Sequence, residues 1–387
     1  MADRQFDRRT VLRGTGLVGI AGVAGCISTN DQGNEGDTGD TDTPGDEGGD
    51  ETPTDTDTAT STPEPTNVGM VYALGGLGDK SFNDMAHKGI KQAADEMAVS
   101  FQNAEPGDAS EMKTLQRKFA QSSNPDYDLI PCIGFTQTNA LKENAGNFPD
   151  QKWMIVDSVV DSDNVASYVF KEHEGSFQVG HMAGLLTTMD FGHEQDGTTY
   201  TTNDDAVVGF VGGKQNSVID RFEAGYRAGV AHVDDSIEVR TAYAGSWSDP
   251  ATGQEIALSM YEKGADIVYH AAGGTGIGVF KAARNQQRFA VGVDADQSRS
   301  SNYDDVIVAS MVKRVDTAVY QSVKNVVEGS FAGGEIVSLG LANGGVEPVI
   351  GQSYEDEIPD SVTSALSESK SGIVDGDISV PTTPEDL

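Results

Sequence analysis

Cysteine is almost absent from this sequence, which holds two, Cys26 and Cys132, in 387 residues. A small secreted scaffold stapled by disulfides is therefore excluded. Basic residues are scarce as well. Lys+Arg 26 against Asp+Glu 61 leaves a net charge of −35, a field that no basic face outweighs, so nucleic acid is excluded as a partner. Long apolar runs are missing too. The uncharged stretch from Gly14 through Gly25 is too short to serve as a permanent membrane helix. No G-x-S-x-G, H-E-x-x-H or P-loop occurs, and the six histidines show no metal-ligand spacing, so neither catalytic residue nor metal is expected, and His270 reads as a structural imidazole.

What is present begins with an address. Arg8 and Arg9 precede the short apolar run, the pattern of a twin-arginine export signal. Val23-Ala24-Gly25-Cys26 resembles a lipobox, where a signal peptidase cuts before a cysteine that then carries lipid. Residues 1–26 are thus expected to direct export and to leave Cys26 as a lipid anchor facing outside the cell. With Cys26 lipidated, Cys132 has no disulfide partner, and its place in LIPCIGF predicts a buried, inert thiol. Residues 27–66 hold Asp, Thr, Gly, Pro and Glu with no Lys or Arg, and cannot bury enough surface to offset their ordering entropy. They read as a flexible tether with a span of roughly 35 Å. The acid continues into the folded part, which predicts a protein that relies on high salt, as halophilic proteins do.

The folded part is organised around VGMVYALGGLGDKSFND, Val68 to Asp84. An apolar strand breaks at Gly75, Gly76 and Gly78, then Ser81, with Asp84 three residues on, opens a helix whose apolar stripe runs Phe82, Met85, Ala86, Ile90, Ala93, Ala94, Met97. Strand, polar turn and helix then alternate. LIPCIGF leads into GFTQTNA with Thr136, Thr138 and Asn139 at the strand end, and the strand from Trp153 closes on Asp157. A helix from Glu172 to Met189 leads away, and a polar segment near Glu194 to Asp205 separates two halves. The second half repeats the rhythm from VVGFVGG onward. Such alternation predicts an α/β fold with parallel sheets, and the number of units predicts two doubly wound lobes with a ligand cleft lined by the strand-end turns. The expected division is 67–171 plus about 295–328 for lobe 1, with the strand Val306 to Val312 and the helix Val315 to Val327 returning to it. Lobe 2 takes 172–294 plus about 329–380.

DKSFN at Asp79, VGFVGG followed by F-x-x-G-Y-x-x-G at Phe222 to Gly229, AAGGTGIGVF at Ala271, and VGVDADQ at Val291 stand in the order of one known family. From about Asn67 to the end the chain resembles the basic membrane protein family of substrate-binding lipoproteins, whose best understood members are purine nucleoside receptors. The resemblance implies a type I periplasmic-binding-protein fold, a monomer that closes by a hinge, and ABC permease and ATPase subunits as partners. Carried over residue by residue, it implies a purine held between Phe82 of one lobe and Phe222 or Trp247 of the other. Asp79, Asn83 and Asn139 would serve the base edge, and Asp294 and Lys313 the ribose hydroxyls. Gly273, Gly274 and Thr275 would offer backbone amides at a helix start, and Thr136 and Asp157 lie on the same sheet edge. The sequence departs from the family at Asn139, where Asp is frequent: an amide keeps the hydrogen bond without the charge.

Phe82 and Phe222 also fit the apolar stripes of their own helices, and Asp79 fits a turn. Two other readings compete. A dinucleotide-dependent enzyme is suggested by GGLG and GGTGIG, but neither forms a G-x-G-x-x-G unit with an acid about twenty residues on. The same fold binding a sugar-like ligand for a sensor or transporter is the other. No cofactor is expected.

Overall fold

The computed structural model describes residues 64–387; the export signal, Cys26 and the tether up to residue 63 lie outside them. The first lobe runs through β1 (Thr66–Val71), α1 (Phe82–Glu96), β2 (Val99–Ala104), α2 (Met112–Ala120), β3 (Leu129–Cys132), α3 (Thr138–Asn147), β4 (Lys152–Val156) and β5 (Val165–Phe170). Then α4 (Glu172–Thr187) leads into the hairpin β6 (Gly192–Gln195) and β7 (Thr198–Thr201). The second lobe continues with β8 (Val207–Gly212), α5 (Ser217–Val233), β9 (Glu238–Tyr243), α6 (Pro250–Tyr261), β10 (Ile267–Ala271), α7 (Ile277–Gln286), β11 (Phe289–Asp294), α8 (Gln297–Ser300) and β12 (Ile307–Lys313). Last come α9 (Val315–Val327), β13 (Ile336–Leu339), β14 (Val346–Ile350) and α10 (Asp360–Asp375). No helix among the described residues is long and apolar enough to cross a membrane.

Two six-stranded sheets result, ordered β2-β1-β3-β4-β5-β13 and β9-β8-β10-β11-β12-β14. The first five strands of each follow one winding scheme, parallel throughout. The composition of the strands explains the burial: β3, β8, β10, β11 and β12 are buried along their whole length, and their mainly apolar runs, with the polar Asp294 and Lys313 at the carboxyl ends of β11 and β12, suit that place. The edge strands β2 and β9 are partly exposed and carry polar residues.

The expected division needs correction at the C-terminal end. The strand after residue 305 does not return to lobe 1; β12 pairs with β11 from Ala290 to Asp294 and completes the second sheet. The helix after it does return, α9 packing on α1, where Gly89 lies against the backbone of Asp316. The next strand, β13, assigned by the sequence to lobe 2, instead extends the first sheet beside β5, and β14 runs antiparallel to β12 in the second. A strand joins the sheet whose open edge it meets, and both fifth strands had such an edge to cover. The polar segment near Glu194 to Asp205 is not a divider either: it folds as the β6–β7 hairpin, fastened to lobe 2 by Arg288 Nη1 donating to Thr201 O (2.6 Å) and Tyr200 OH donating to Asp305 (2.5 Å).

α4 crosses from lobe 1 and lies directly on α5. Gly180 meets the Tyr226 carbonyl, and Gly225 and Gly229 of F-x-x-G-Y-x-x-G meet the backbone of His173 and Phe177; a methyl group at any of the three would overlap it. That motif is a backbone-to-backbone packing seam.

Candidate functional site

The turns at the carboxyl ends of the strands of both lobes surround one cavity of about 660 Å³, part of it open to solvent. Lobe 1 contributes Ala73 and Leu74 after β1, Asp79, Phe82 and Asn83 at α1, Gly134, Phe135 and Thr136 after β3, and Asp157 after β4. Lobe 2 contributes Val218, Ile219 and Phe222 of α5, Trp247 after β9, Ala271 and Gly273 after β10, Val293 and Asp294 of β11, and Lys313 of β12. Ten of the expected residues thus meet around one space: Asp79, Phe82, Asn83, Thr136, Asp157, Phe222, Trp247, Gly273, Asp294 and Lys313.

Gly75, Gly76 and Gly78 take φ of +107°, +67° and +89°, which only glycine adopts cheaply, and bring the chain round to Asp79. Asp79, not Ser81, caps α1: its carboxylate accepts from the N–H groups of Ser81 (2.9 Å), Asn83 (2.9 Å) and Asp84 (3.2 Å), and from Asn83 Nδ2 (3.0 Å). Burial raises its pKa, and the three backbone amides oppose that rise. Asn83 Oδ1 accepts from Ala73 N–H (2.9 Å), so one proton of Nδ2 remains to face a ligand. Ser81 occupies the N-cap position, its carbonyl accepting from Met85 N–H (2.9 Å), but its side chain does not bond the helix. Its hydroxyl crosses to lobe 2 and donates to Asp294 Oδ2 at 2.5 Å.

The charged end of the cavity is built on Lys313, 1% exposed. Its Nζ pairs with Asp157 Oδ1 at 2.6 Å and donates to Glu172 Oε1 at 2.9 Å, and it lies 4.9 to 5.6 Å from the ring centres of Phe170, Phe82 and Phe222. Burial alone would lower the Lys313 pKa; Asp157, Glu172 and Asp294 raise it instead, so the ammonium stays charged. Burial pushes the Asp294 carboxyl up to about 7 against the pull of Lys313 and of the Ser81 hydroxyl. It also raises Asp157, which Lys313 only partly offsets. For Glu172 the balance inverts: burial favours the acid, but Lys313 and Arg221 together hold the carboxyl below its ordinary value.

Three expected residues fall outside the cavity. Asn139 is exposed on α3. The helix is entered through a tight turn at Phe135–Gln137 that buries Gln137, whose Nε2 donates to Val71 O (2.7 Å) and Ile133 O (3.0 Å). Two residues later a helix has turned by about 200°, and Asn139 points away. Gly274 lies behind the carbonyl of Trp247. Thr275 is fully buried; its N–H donates to Trp247 O (3.2 Å), and its hydroxyl donates to Ser246 O (3.1 Å) and accepts from Asp249 N–H (2.9 Å). The Thr275 amide is thus spent on holding the Trp247 carbonyl rather than offered to the cavity. Sequence reasoning missed Phe135, although it stands inside GFTQTNA at a strand end just as Phe82 stands after one. It also missed Glu172, fully buried behind the cavity wall, and its partly exposed partner Arg221, where no local pattern marks them. His270 is buried with its Nε2 against Gln297 Oε1 (3.0 Å), and burial lowers its pKa to about 4, leaving it neutral. Cys132 is fully buried with its thiol pKa raised by burial.

Residues 66–383 match the family Bmp, described as ABC transporter substrate-binding protein PnrA-like. The chain belongs to this family. A Listeria monocytogenes protein named CD4+ T-cell-stimulating antigen is 36% identical over 339 residues, 82% of this chain and 88% of that one. The ABC transporter nucleoside-binding protein BmpA of Lactococcus lactis is 33% identical over 81% of this chain and 88% of its own length. A lipoprotein of Pyrococcus abyssi is 33% identical over 72% of this chain and 68% of its own. Among solved structures, an ABC transporter solute-binding protein from Aeropyrum pernix K1 superposes with a TM-score of 0.71 at 30% identity, covering 83% of this chain and 94% of that one. The protein is thus a Bmp-family substrate-binding protein of ABC transporters with the two-lobed periplasmic-binding-protein fold.

Proposed function

We propose that this protein is a lipid-anchored receptor on the outer face of the cell membrane that captures a purine nucleoside and passes it unchanged to the permease and ATPase subunits of an ABC importer. The observation that carries the reading is the makeup of the cavity: aromatic rings from both lobes, Phe82 and Phe222, gathered around the buried Lys313 ammonium, with the Asp294 carboxylate on the same lining. A purine lies between Phe82 and Phe222 or Trp247, with its edge toward Asp79 and Asn83. The vicinal hydroxyls of ribose are both donors and acceptors, and Asp294 accepts from them while Lys313 donates. Since each lobe holds half of these groups, a ligand that touches both favours the closed arrangement by its differential contacts. The nucleoside-binding name of the Lactococcus relative and the lipoprotein name of the Pyrococcus relative support this reading, as does the lipobox at Cys26.

Calorimetry with guanosine, adenosine, inosine and uridine tests the ligand. Purine nucleosides are expected to bind, uridine more weakly; a sugar that binds where no nucleoside does would overturn the nucleoside half of the proposal. Recovery of the bound ligand unaltered after prolonged incubation tests the transport role against an enzymatic one. For the anchor, Cys26→Ala should release the protein from the membrane fraction, and retention of that variant would refute it. The acidic surface calls for screening, so these assays belong at high salt, and unfolding midpoints should fall as salt is withdrawn.

A further inference from the structure

The chain passes between the lobes three times, between β5 and α4, between β12 and α9, and between β13 and β14. The crossings are fastened to one another. Lys171 N–H donates to Leu339 O (2.8 Å), Arg314 N–H to Gly345 O (2.9 Å), and Leu341 N–H to Glu174 Oε2 (2.9 Å). The fourth fastening is ionic and lies closest to the cavity. Glu172, the first residue of α4 and fully buried, accepts from Lys313 Nζ on Oε1 at 2.9 Å and from Arg221 Nε on Oε2 at 2.7 Å. Lys313 stands at the second crossing; Arg221 precedes Phe222 on α5.

Glu172 does not line the cavity. A carboxylate so deep, holding two cations, acts through where it puts them. An ammonium has three protons: Glu172 accepts one, Asp157 Oδ1 stands 2.6 Å from the nitrogen as an ionic partner, and the remaining donor capacity is left for the cavity that Lys313 lines with Asp294. Without Glu172 the ammonium is free to swing toward Asp157 alone, and Arg221 loses the partner that fixes the first turns of α5.

We propose that Glu172 is a positioning residue that fixes the Lys313 ammonium toward the sugar half of the ligand and joins the hinge to the cavity. The ligand half it serves rests on the nucleoside reading; its place in the hinge does not. Inosine and hypoxanthine share a base and differ by the ribose, so titrating both by calorimetry separates a positioning role from a structural one. Glu172→Gln is expected to weaken inosine roughly tenfold to a hundredfold, the scale of a lost charge-assisted hydrogen bond, with hypoxanthine changed by less than about threefold. Equal losses for both, or no loss, would overturn the proposal. Glu172→Asp keeps the charge and draws it back by one methylene. It should show the same imbalance to a smaller degree, and it decides the matter if the Gln variant does not fold. If wild-type protein binds neither probe, the nucleoside reading has failed, and small-angle scattering of the ligand-free proteins judges Glu172 alone: Glu172→Gln should enlarge the radius of gyration, and an unchanged radius would refute the hinge role.

Discussion

In lobe 1 the strand β4 gives way to Asp157; in lobe 2 its counterpart β11 ends on Asp294, and both aspartates sit at a φ of +64°. The repeated strand order places them alike, and each reaches across the cleft: Asp157 to Lys313 of lobe 2, Asp294 to Ser81 of lobe 1. Left-handed backbone at a non-glycine residue costs about 1–3 kcal/mol, so the same strain is tolerated twice where it aims a carboxylate into the cleft. The partners differ in kind. Asp157 is matched by a full charge within the protein, whereas Asp294 is held by a hydroxyl and keeps an oxygen for a ligand. Lysine shows the same divergence. Lys171 follows β5 at the first crossing and Lys313 ends β12 at the second, yet the side chain of Lys171 is 47% exposed on Glu174 and that of Lys313 is 1% exposed. One winding scheme supplies the positions, and burial decides which of them carry chemistry.

The sharpest way to break this comparison is to remove both lysines in turn. Lys313→Met leaves the buried carboxylates of Asp157 and Asp294 without their cation and Glu172 with Arg221 alone, and should cost about 3–5 kcal/mol of stability and abolish ligand binding. Lys171→Ala should change stability by no more than about 1 kcal/mol, as for exposed pairs generally. Chemical unfolding measures both; similar losses would mean that the two crossings are alike after all.

Acidity separates the aspartates next. Asp294 takes up a proton near pH 7 in the folded chain against an ordinary 3.8, so the folded state binds more protons between those values, and stability falls as pH rises through that window. Asp266, raised by burial to about 7, adds a slope of the same sign. Asp294→Asn should therefore flatten the dependence of the melting temperature between about pH 4 and 7, leaving the share of Asp266 and of the other carboxyls raised by burial, Asp79 and Asp157. Nucleoside affinity in the wild type should rise through about pH 7 as Asp294 ionises. A wild-type slope that survives the substitution intact would refute the assignment. The aromatic walls come after this. Phe82→Ala and Phe222→Ala should each weaken a purine by about 1–3 kcal/mol, and Phe222, 3% exposed in the core, should also lower stability by about 3–5 kcal/mol. The half-exposed Phe82 should spare stability more.

Much of the frame was legible in the sequence because it rests on local patterns. Glycine turns, apolar strands and helical stripes recur with fixed spacing, and the motifs DKSFN and VGVDADQ bring Asp79, Phe82, Asn83 and Asp294 to one cavity. Pairing between distant segments was not legible. Nothing within Val306 to Val312 says which of two similar open sheet edges it will meet, so β12 and β13 were assigned to the wrong lobes. Ser81 carries a good capping side chain, but the cap went to Asp79, whose carboxylate reaches three amides, and Ser81 was left to bridge the lobes. Glu172 and Arg221 are ordinary charges on helices until the fold buries the one and lays the other against it.

Asn139 gives the smallest predicted effect and tests the finest point of the comparison. In lobe 1 the turn after β3 sends Thr136 to the cavity and Gln137 into the core, which carries Asn139 to the outer face. Asn139→Asp, which supplies the carboxylate that the family resemblance implies here, would matter for base recognition only if the side chain reached the ligand. From the outer face of the first turn of α3 its new charge meets the positive end of the helix instead. The expected outcome is an unchanged affinity for guanosine and inosine with a gain in stability of about 0.3–1 kcal/mol, whereas Thr136→Val, one residue before the core contact of Gln137 and lining the cavity, should alter affinity without that gain. A shift in base preference in the Asn139 variant would mean that the turn at Phe135–Gln137 rearranges when the ligand enters.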